Sequence, residues 1–371
     1  MRLTRRALLA GIGVMPFGSF GAGASQRSFV DVSSIPALKS LALSRGIDIA
    51  SAYNGGEPEI ERLLAHHCST ITPENDLKTG TLAPDGIEHA DPSRMDEIAQ
   101  FCSGNSLNLH GHTFFWHQSL PGWLDHGDLK SAMSSHARYM DFTTSRYPHI
   151  VSWDVVNEPL ADDRFGFRNT RLLRQHGPEF LTFLFRHARQ AAPNAHLVLN
   201  DYGLSCASDY CDRKQSSLLW LIDNLLNTGV PVDAVGIQGH IVPRHPIRQN
   251  ALSRFLKQIE QFGLSIFVSE LDVNDIGLPE DVRRRDQLVA DFYRRFLDPV
   301  LDNQAVKRVG FWGLSDRSHW IVHGYAPFRR ATGTPRPALF DAELNPKPAY
   351  FTVADALSHA PYRNPLPTVR S

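Results

Sequence analysis

The chain has 371 residues, of which 42% are hydrophobic and 21% are charged. This composition is typical of a folded globular protein and excludes a disordered chain, which lacks the apolar residues needed to build a core. The net charge is −1 and no block of five like charges occurs. The sequence therefore offers no basic stripe for a phosphate backbone, and we expect no nucleic-acid partner.

The first segment of the chain has the pattern of an export signal. Arg2, Arg5 and Arg6 precede an apolar, small-residue run over 7–24 that ends in Gly-Ala-Gly-Ala. Glycines and Pro16 make this run a poor membrane span. The pair Arg5-Arg6 resembles a twin-arginine signal. We expect residues 1–24 to be a signal peptide, and the mature protein to be periplasmic or secreted, with no membrane span.

The four cysteines leave two interpretations open. They form no C-x-x-C pair, which argues against a zinc ribbon. Cys206 and Cys211 close a six-residue loop, and an exported chain can oxidise such a pair to a disulfide. Four buried free thiols, which would include Cys68 and Cys102, explain the sequence equally well.

A β-rich run followed by a longer amphipathic stretch recurs along the chain. The amphipathic stretches include 172–190 and 216–226, whose apolar residues have helical spacing. The β-rich runs show little alternation over their first half, which is typical of parallel strands covered on both faces. The eight runs cover residues 46–54, 70–75, 107–115, 151–158, 196–202, 234–240, 265–272 and 308–316.

Eight β-then-α units predict an α/β protein, a single (β/α)8 (TIM) barrel over residues 28–360. Residues 361–371, which contain Pro361, Pro365 and Pro367, are expected to form a loose C-terminal tail. Polar residues end the β-rich runs, where the active site of such a barrel lies. These residues are Asn54, Glu74, Asn75, His112, Asn157, Glu158, Asp201, Tyr202, Gln238, His240, Glu270 and Asp316.

Two of these strand-end residues are glutamates suited to glycosidic bond cleavage. Glu158 ends the fourth run and Glu270 lies near the end of the seventh. Such cleavage needs one carboxyl group to protonate the leaving oxygen and another to attack or stabilise the sugar cation. For either glutamate alone, a salt bridge to Arg or Lys at the barrel rim is the more common role. Asn157 strengthens the catalytic interpretation, because an amide beside Glu158 can bind a sugar hydroxyl.

A hydrolytic metal site is the competing interpretation. His110 and His112 share one face of a strand, and His240 and Asp316 end other strands. Catalytic zinc needs three protein ligands around an open position, and no further histidine or lysine ends the fourth or fifth run. Neutral imidazoles that bind sugar hydroxyls explain the same residues, so we expect no metal and no cofactor.

Five tryptophans lie near the predicted strand ends. Core packing is the usual role of tryptophan, and Trp153, inside the fourth run, fits it. Trp312 and Trp320 flank the loop after the eighth run and are expected to face a ligand. The remaining two are Trp116 and Trp123.

At these residues the sequence resembles glycoside hydrolase family 10, the endo-β-1,4-xylanases. The resemblance covers residues 35–358, with the motifs in the order of the family. They are TPENDLK at 72–78, GHTFFWH at 111–117, WDVVNE at 153–158, NDY at 200–202, GIQGH at 236–240, SELD at 269–272 and WGLSD at 312–316.

The resemblance implies the catalytic roles. Glu158 would be the general acid/base and Glu270 the nucleophile. His240 would hold Glu270 charged and correctly aimed, beside Gln238, and Asn157 would bind the 2-hydroxyl of the sugar being cleaved.

The resemblance also implies the subsites. Glu74, Asn75 and Lys78 would bind the neighbouring glycone sugar, and Tyr202 would stack on the aglycone side. Trp312 and Trp320 could form the steric wall that favours xylose, which lacks a C6 hydroxymethyl group. The residues that would surround the reacting sugar are Lys78, His112, Trp116, Gln238 and Trp312.

The sequence therefore predicts a monomeric, retaining endo-1,4-β-xylanase acting on xylan and xylo-oligosaccharides. A β-1,4-glucanase using the same carboxylates and a sugar-binding barrel without activity are the alternatives. Pro159 and His319 depart from the pattern of the family, which often has alanine and serine there. These departures bear on subsite preference and leave the chemistry intact.

Overall fold

The computed structural model describes residues 34–125, 128–323 and 330–366. The predicted signal peptide lies outside these residues. The strands are β1 (Asp48–Tyr53), β2 (Thr70–Pro73), β3 (Asn108–Trp116), β4 (Ile150–Asn157), β5 (His196–Asp201), β6 (Ala234–Ile237), β7 (His240–Ile241), β8 (Ser265–Val273) and β9 (Val306–Phe311). The helices are α1 (Leu38–Leu43), α2 (Pro58–His67), α3 (Thr79–Leu82), α4 (Ser93–Gly104), α5 (Leu129–Arg146), α6 (Arg171–Ala191), α7 (Asp209–Asn227), α8 (Gln249–Gln261), α9 (Val282–Leu301), α10 (Trp320–His323) and α11 (Pro348–His359).

The strands close into a parallel barrel. β1 pairs with both β2 and β9, and β6 pairs with both β5 and β8, so the sheet has no free edge. β7 is a two-residue segment that follows β6 and pairs with β8. Each of the eight predicted β-rich runs overlaps one barrel strand, and the prediction of a single (β/α)8 barrel is confirmed. The carboxyl ends of all the strands consequently meet at one mouth.

The helices cover the barrel with faces that the sequence spacing sets. In α6, Leu173, Phe180, Leu184 and Ala188 are buried at intervals of seven, four and four residues, which places them on one helix face. The side chain of Thr170 accepts a hydrogen bond from the Leu173 amide and so begins this helix. The predicted helical stretch 172–190 is thus confirmed almost to the residue.

Trp153 fills the core as the sequence predicts. It is 1% exposed, and its ring stacks on Phe114 with centroids 4.0 Å apart. A Cβ at Gly111 would come within 2.0 Å of the Trp153 ring, so only glycine fits at that point of β3. Near the opposite end of the barrel from the mouth, Arg308 of β9 donates to Asp48 at 2.6 Å and Ser152 at 2.9 Å.

The structure joins Cys206 and Cys211 in a disulfide, at the start of α7. Cys68 and Cys102 are buried free thiols. Of the two interpretations of the cysteines, the structure therefore agrees with the one in which Cys206 and Cys211 form a disulfide. Within the residues described, no helix has the length and apolar character to cross a membrane.

The expectation of a loose tail is wrong for residues 361–366. Arg363 is 2% exposed, and its Nη1 donates to the carbonyls of Asn303 at 2.8 Å and Val306 at 3.1 Å, while Nη2 donates to that of Leu301. Its amide donates to the Arg45 carbonyl at 3.1 Å. The prolines of this segment indicate a mobile end, but carbonyls between the last residue of α9 and the first residue of β9 accept hydrogen bonds from the buried Arg363 guanidinium. Residues 367–371 lie outside the described residues.

Arg363→Ala should lower the free energy of unfolding by about 2–4 kcal/mol, because it leaves buried carbonyls without donors. Denaturant unfolding followed by circular dichroism measures the change. The matched control is Arg62→Ala, at an exposed position of α2, which should shift stability by less than about 0.5 kcal/mol. Equal effects of the two substitutions would contradict the anchoring role of Arg363.

Candidate active site

The ends of β1 and β2 bring together the predicted glycone-binding residues. Asn54 donates to Glu74 at 2.8 Å and accepts from Asn75 at 2.9 Å. The Lys78 ammonium donates to the Asn75 side-chain oxygen at 3.0 Å and lies 4.7 Å from the centroid of the Trp116 ring. Asn54, predicted only as a polar residue at a strand end, bridges Glu74 and Asn75.

Burial shifts the pKa of both charged groups in this cluster. It raises the pKa of Glu74 and lowers that of Lys78, since each loses hydration of its charged form. The charges of the two groups oppose these shifts by attracting each other. Glu270 and Glu158 also favour the charged form of Lys78. The Lys78 side chain therefore faces the carboxylates of the barrel mouth, whose charges oppose the effect of burial on its pKa.

One network of buried amides connects the two predicted catalytic glutamates. Asn200 donates to Glu270 at 2.8 Å and to the side-chain oxygen of Asn157 at 2.9 Å. Gln238 donates to the same Asn157 oxygen at 3.2 Å and to Glu158 at 3.2 Å. All three amides are at most 2% exposed. The structure thus brings Glu158 and Glu270 into one hydrogen-bonded group, as the strand-end argument predicts.

Glu158 stands directly after β4 in an unusual backbone conformation. Its φ is +55°, in the left-handed region, and its side chain is nearly buried. Burial raises the pKa of Glu158, and the carboxylates of Asp201 and Glu270 act in the same direction. This carboxyl group is therefore biased toward its protonated form.

His240 contacts two carboxylates through its two ring nitrogens. Nε2 lies 3.2 Å from Glu270 and Nδ1 lies 3.0 Å from Asp272. Burial lowers the pKa of His240, but Asp272 and Glu270 outweigh it and raise the pKa to about 10. Asp272 also accepts from the indole of Trp320 at 2.7 Å. His240 is therefore an imidazolium at neutral pH, held against Glu270.

The histidines of β3 are bound to a carboxylate. His110 Nε2 and His112 Nδ1 lie 3.1 Å and 2.8 Å from one oxygen of Asp154. Asp316, the carboxylate that the metal interpretation invoked, pairs with Lys347 at 2.8 Å. In residues 34–125, 128–323 and 330–366, no group of three or more ligand-type side chains is arranged to hold a metal ion. His110, His112 and Asp316 thus each have an oppositely charged or hydrogen-bonding partner within the protein.

The tryptophans of the last barrel segment pack beside these histidines. Trp312 is 7% exposed, with its ring centroid 5.2 Å from that of His112 and 6.4 Å from that of His240. Trp320 lies 5.3 Å from His240. Trp123, by contrast, donates to the Ala83 carbonyl at 2.7 Å and packs against the core.

Tyr202, predicted to face the aglycone, is held by charged residues that sequence reasoning missed. Its hydroxyl donates to Asp162 at 2.8 Å and accepts from Arg168 at 2.9 Å. The Lys214 ammonium lies 3.7 Å from the centroid of the Tyr202 ring. Asp162 and Arg168 lie on the loop after β4, and Lys214 lies within α7. None of these three residues ends a strand, so the strand-end signal could not find them.

Comparison with known proteins defines the class of this barrel. A sequence profile of glycosyl hydrolase family 10 matches residues 37–356. The chain belongs to glycosyl hydrolase family 10, and it is a glycoside hydrolase. The resemblance that the sequence motifs indicated is confirmed.

Curated relatives and solved structures agree with this assignment. The chain is 30% identical to endo-1,4-beta-xylanase B of Thermotoga neapolitana, over 77% of this chain and 80% of that protein. It is 29% identical to endo-1,4-beta-xylanase A of Thermoanaerobacterium saccharolyticum, over 82% of this chain but only 26% of that longer protein. The crystal structure of xylanase 10B from Thermotoga petrophila in complex with xylobiose superimposes with a TM-score of 0.76 at 28% identity, covering 86% of this chain and 97% of that one.

The charge of His240 can be tested by NMR. Its ring nitrogens should remain protonated at pH 8, with titration near pH 10. Because this pKa lies above the ordinary value of 6.5, the interaction stabilises the fold fully below about pH 6.5 and is lost as the pH rises through about 10.

Asp272→Asn should lower the His240 pKa more than Glu270→Gln does, since Asp272 is the larger source of the increase. The exposed Asp163→Asn is the control and should leave it unchanged. Nitrogen-15 spectra, assigned with His240→Gln, supply the measurement. A wild-type pKa near 6.5 would contradict the charged arrangement.

Proposed function

We propose that the protein is a retaining endo-1,4-β-xylanase, in which Glu158 is the general acid/base and Glu270 is the nucleophile. The buried amide network that holds the two carboxyl groups together is the observation that supports these roles most strongly. The relatives named endo-1,4-beta-xylanase B and beta-1,4-xylanase support the choice of substrate.

Glu158 has the surroundings of a general acid. Its raised pKa favours the protonated carboxyl group that must donate to the glycosidic oxygen. The Gln238 side chain donates a hydrogen bond of 3.2 Å to one carboxyl oxygen of Glu158. As the C1–O bond breaks, its electron pair goes to the leaving oxygen, which takes the proton of Glu158.

Glu270 has the surroundings of a nucleophile. Asn200 donates to one of its oxygens, and the His240 imidazolium faces the other. These two contacts orient the carboxylate and stabilise its charge. Glu270 attacks the anomeric carbon and forms a covalent glycosyl-enzyme. A water molecule, deprotonated by Glu158, then displaces Glu270 from the opposite face and restores the β-configuration. This two-step mechanism predicts that the carboxyl groups of Glu158 and Glu270 lie about 5–5.5 Å apart.

The remaining predicted residues form the proposed sugar sites. Glu74, Asn75 and Lys78 offer donors and acceptors for glycone hydroxyls, and His112, Asn157 and Gln238 lie closer to the reacting sugar. Trp312 packs against His112 and His240, and Trp320 donates to Asp272, which places both rings to form a wall against a C6 hydroxymethyl group. Tyr202 offers a ring to the aglycone.

We also propose that the protein acts outside the cytoplasm as a monomer after loss of residues 1–24. The basic, then apolar, N-terminal sequence supports export. The disulfide between Cys206 and Cys211 agrees with an oxidising compartment.

The stereochemistry of the first product tests this mechanism. Hydrolysis of xylohexaose should release the β-anomer first, because two displacements at one carbon retain configuration. Proton NMR recorded before mutarotation detects it.

An α-anomer appearing first would refute the roles of both glutamates. Glu270→Gln should lower kcat by at least about a thousandfold, because the covalent step is lost. The control is Glu280→Gln, at an exposed carboxylate after β8, which should leave kcat unchanged.

A further inference from the structure

We propose that Arg168 is a positioning residue for the acid/base, tying the backbone of Glu158 to the aglycone platform Tyr202. This inference rests on the proposed role of Glu158. Arg168 lies ten residues after Glu158, in the loop between β4 and α6, and its side chain is 16% exposed.

Arg168 binds the backbone of the acid/base segment from two directions. Its Nε donates to the Glu158 carbonyl at 3.2 Å, and its own amide donates to the Pro159 carbonyl at 2.8 Å. The Glu158 amide donates to the Asn200 carbonyl at 2.8 Å, and the Leu160 amide donates to Asp201 at 3.0 Å. Every polar backbone atom of Glu158 and Pro159, and the amide of Leu160, thus has a hydrogen-bond partner.

This bracing suits the conformation of Glu158. A non-glycine residue with a φ of +55° is held in a sparsely populated region, which persists only when its surroundings fix it. Pro159 has no N–H to contribute. Arg168 supplies the donor to the Glu158 carbonyl, and so helps to set the direction in which the Glu158 side chain leaves the backbone.

The remaining arms of the guanidinium reach the aglycone platform. Nη1 donates to Asp162 at 2.7 Å and Nη2 donates to the Tyr202 hydroxyl at 2.9 Å. Asp162 also accepts from the same hydroxyl and from Lys214 at 3.3 Å. One planar cation therefore contacts the acid/base backbone, a carboxylate and the platform hydroxyl at once.

Only arginine can make this set of contacts. Its guanidinium presents donors in a rigid plane, whereas lysine is a single point charge with no Nε–H to aim at the Glu158 carbonyl. The positive charge nearby is already supplied by Lys214, which is fully buried and pairs with Asp201 at 2.6 Å. Geometry, more than charge, is therefore what Arg168 contributes.

The inference predicts a defect confined to proton transfer. A displaced Glu158 carboxyl group protonates a poor leaving group less effectively, while a leaving group that needs no proton departs as before. Arg168→Lys should therefore lower kcat/KM on phenyl β-xylobioside about 10- to 100-fold. On 2,4-dinitrophenyl β-xylobioside, kcat/KM should change by less than about threefold. The kcat on this second substrate should fall, because Glu158 also activates water, and azide should restore it.

The experiment compares Arg168→Lys and Arg168→Gln with the control Arg164→Gln. Arg164 lies on the same loop, pairs only with the exposed Asp163 at 3.5 Å, and contacts neither Glu158 nor Tyr202 within the described structure. Both Arg168 variants should show the split between substrates, and the control should behave as wild type. Circular dichroism verifies that each variant is folded.

Two outcomes would overturn the inference. Equal loss of kcat/KM on both aryl substrates would make Arg168 a general structural residue. Unchanged kcat/KM on both, with a higher KM on xylan alone, would confine its role to aglycone binding. Glu158→Ala is measured in parallel. If this variant shows neither the split between substrates nor azide rescue, the assignment of Glu158 as acid/base is wrong. If it shows both, a negative result for the Arg168 variants contradicts only the role of Arg168.

Discussion

Two carboxyl groups buried at one barrel mouth share a network of three amide side chains, and the rest of the site is arranged around that constraint. Asn157, Asn200 and Gln238 come from β4, from β5 and from the turn after β6. Closing the barrel is what brings these strand ends together. Because amides carry no charge, they fix the carboxyl groups without neutralising either one. The network therefore permits one carboxyl group to be protonated and the other to be charged.

Burying these groups requires compensating charge, and the structure places it in a shell around the mouth. Lys78 and the His240 imidazolium face the carboxylates, and Asp272 in turn holds His240. Farther out, Lys214 pairs with Asp201 and Lys347 with Asp316, each pair almost fully buried. A buried ion pair is costly to break, because removal of one partner leaves an uncompensated charge. The outer pairs thus make the backbone that supports the site resistant to distortion.

The sequence predicted the barrel and the inner site for one physical reason. Parallel strands covered on both faces must be apolar until they reach the mouth, so each change from apolar to polar residues marks a strand end. Glu158, Glu270, Gln238 and His240 were found in this way, and the structure brings them together. The motifs supplied the roles that spacing alone left open.

Arg168, Lys214 and Arg363, which were missed, lie off the strands, where no change from apolar to polar residues marks them. A lysine in the middle of a helix is usually exposed to solvent. In the structure, however, Lys214 is buried against Asp201. Arg168 reads as a loop cation, and Arg363 as part of a proline-rich tail. His110 and His112 left a metal site open as an alternative in the sequence, because Asp154, their common partner, belongs to another strand.

The most direct measurement for the proposed mechanism is capture of the covalent intermediate. A 2,4-dinitrophenyl 2-deoxy-2-fluoro-β-xylobioside reacts with a retaining enzyme, because its leaving group needs no proton and its fluorine slows the hydrolysis that follows. Peptide mass spectrometry of the labelled protein then identifies the modified residue. The expected result is stoichiometric loss of activity, with the sugar attached to Glu270. A label on another residue, or substrate turnover with no label on the protein, would contradict it.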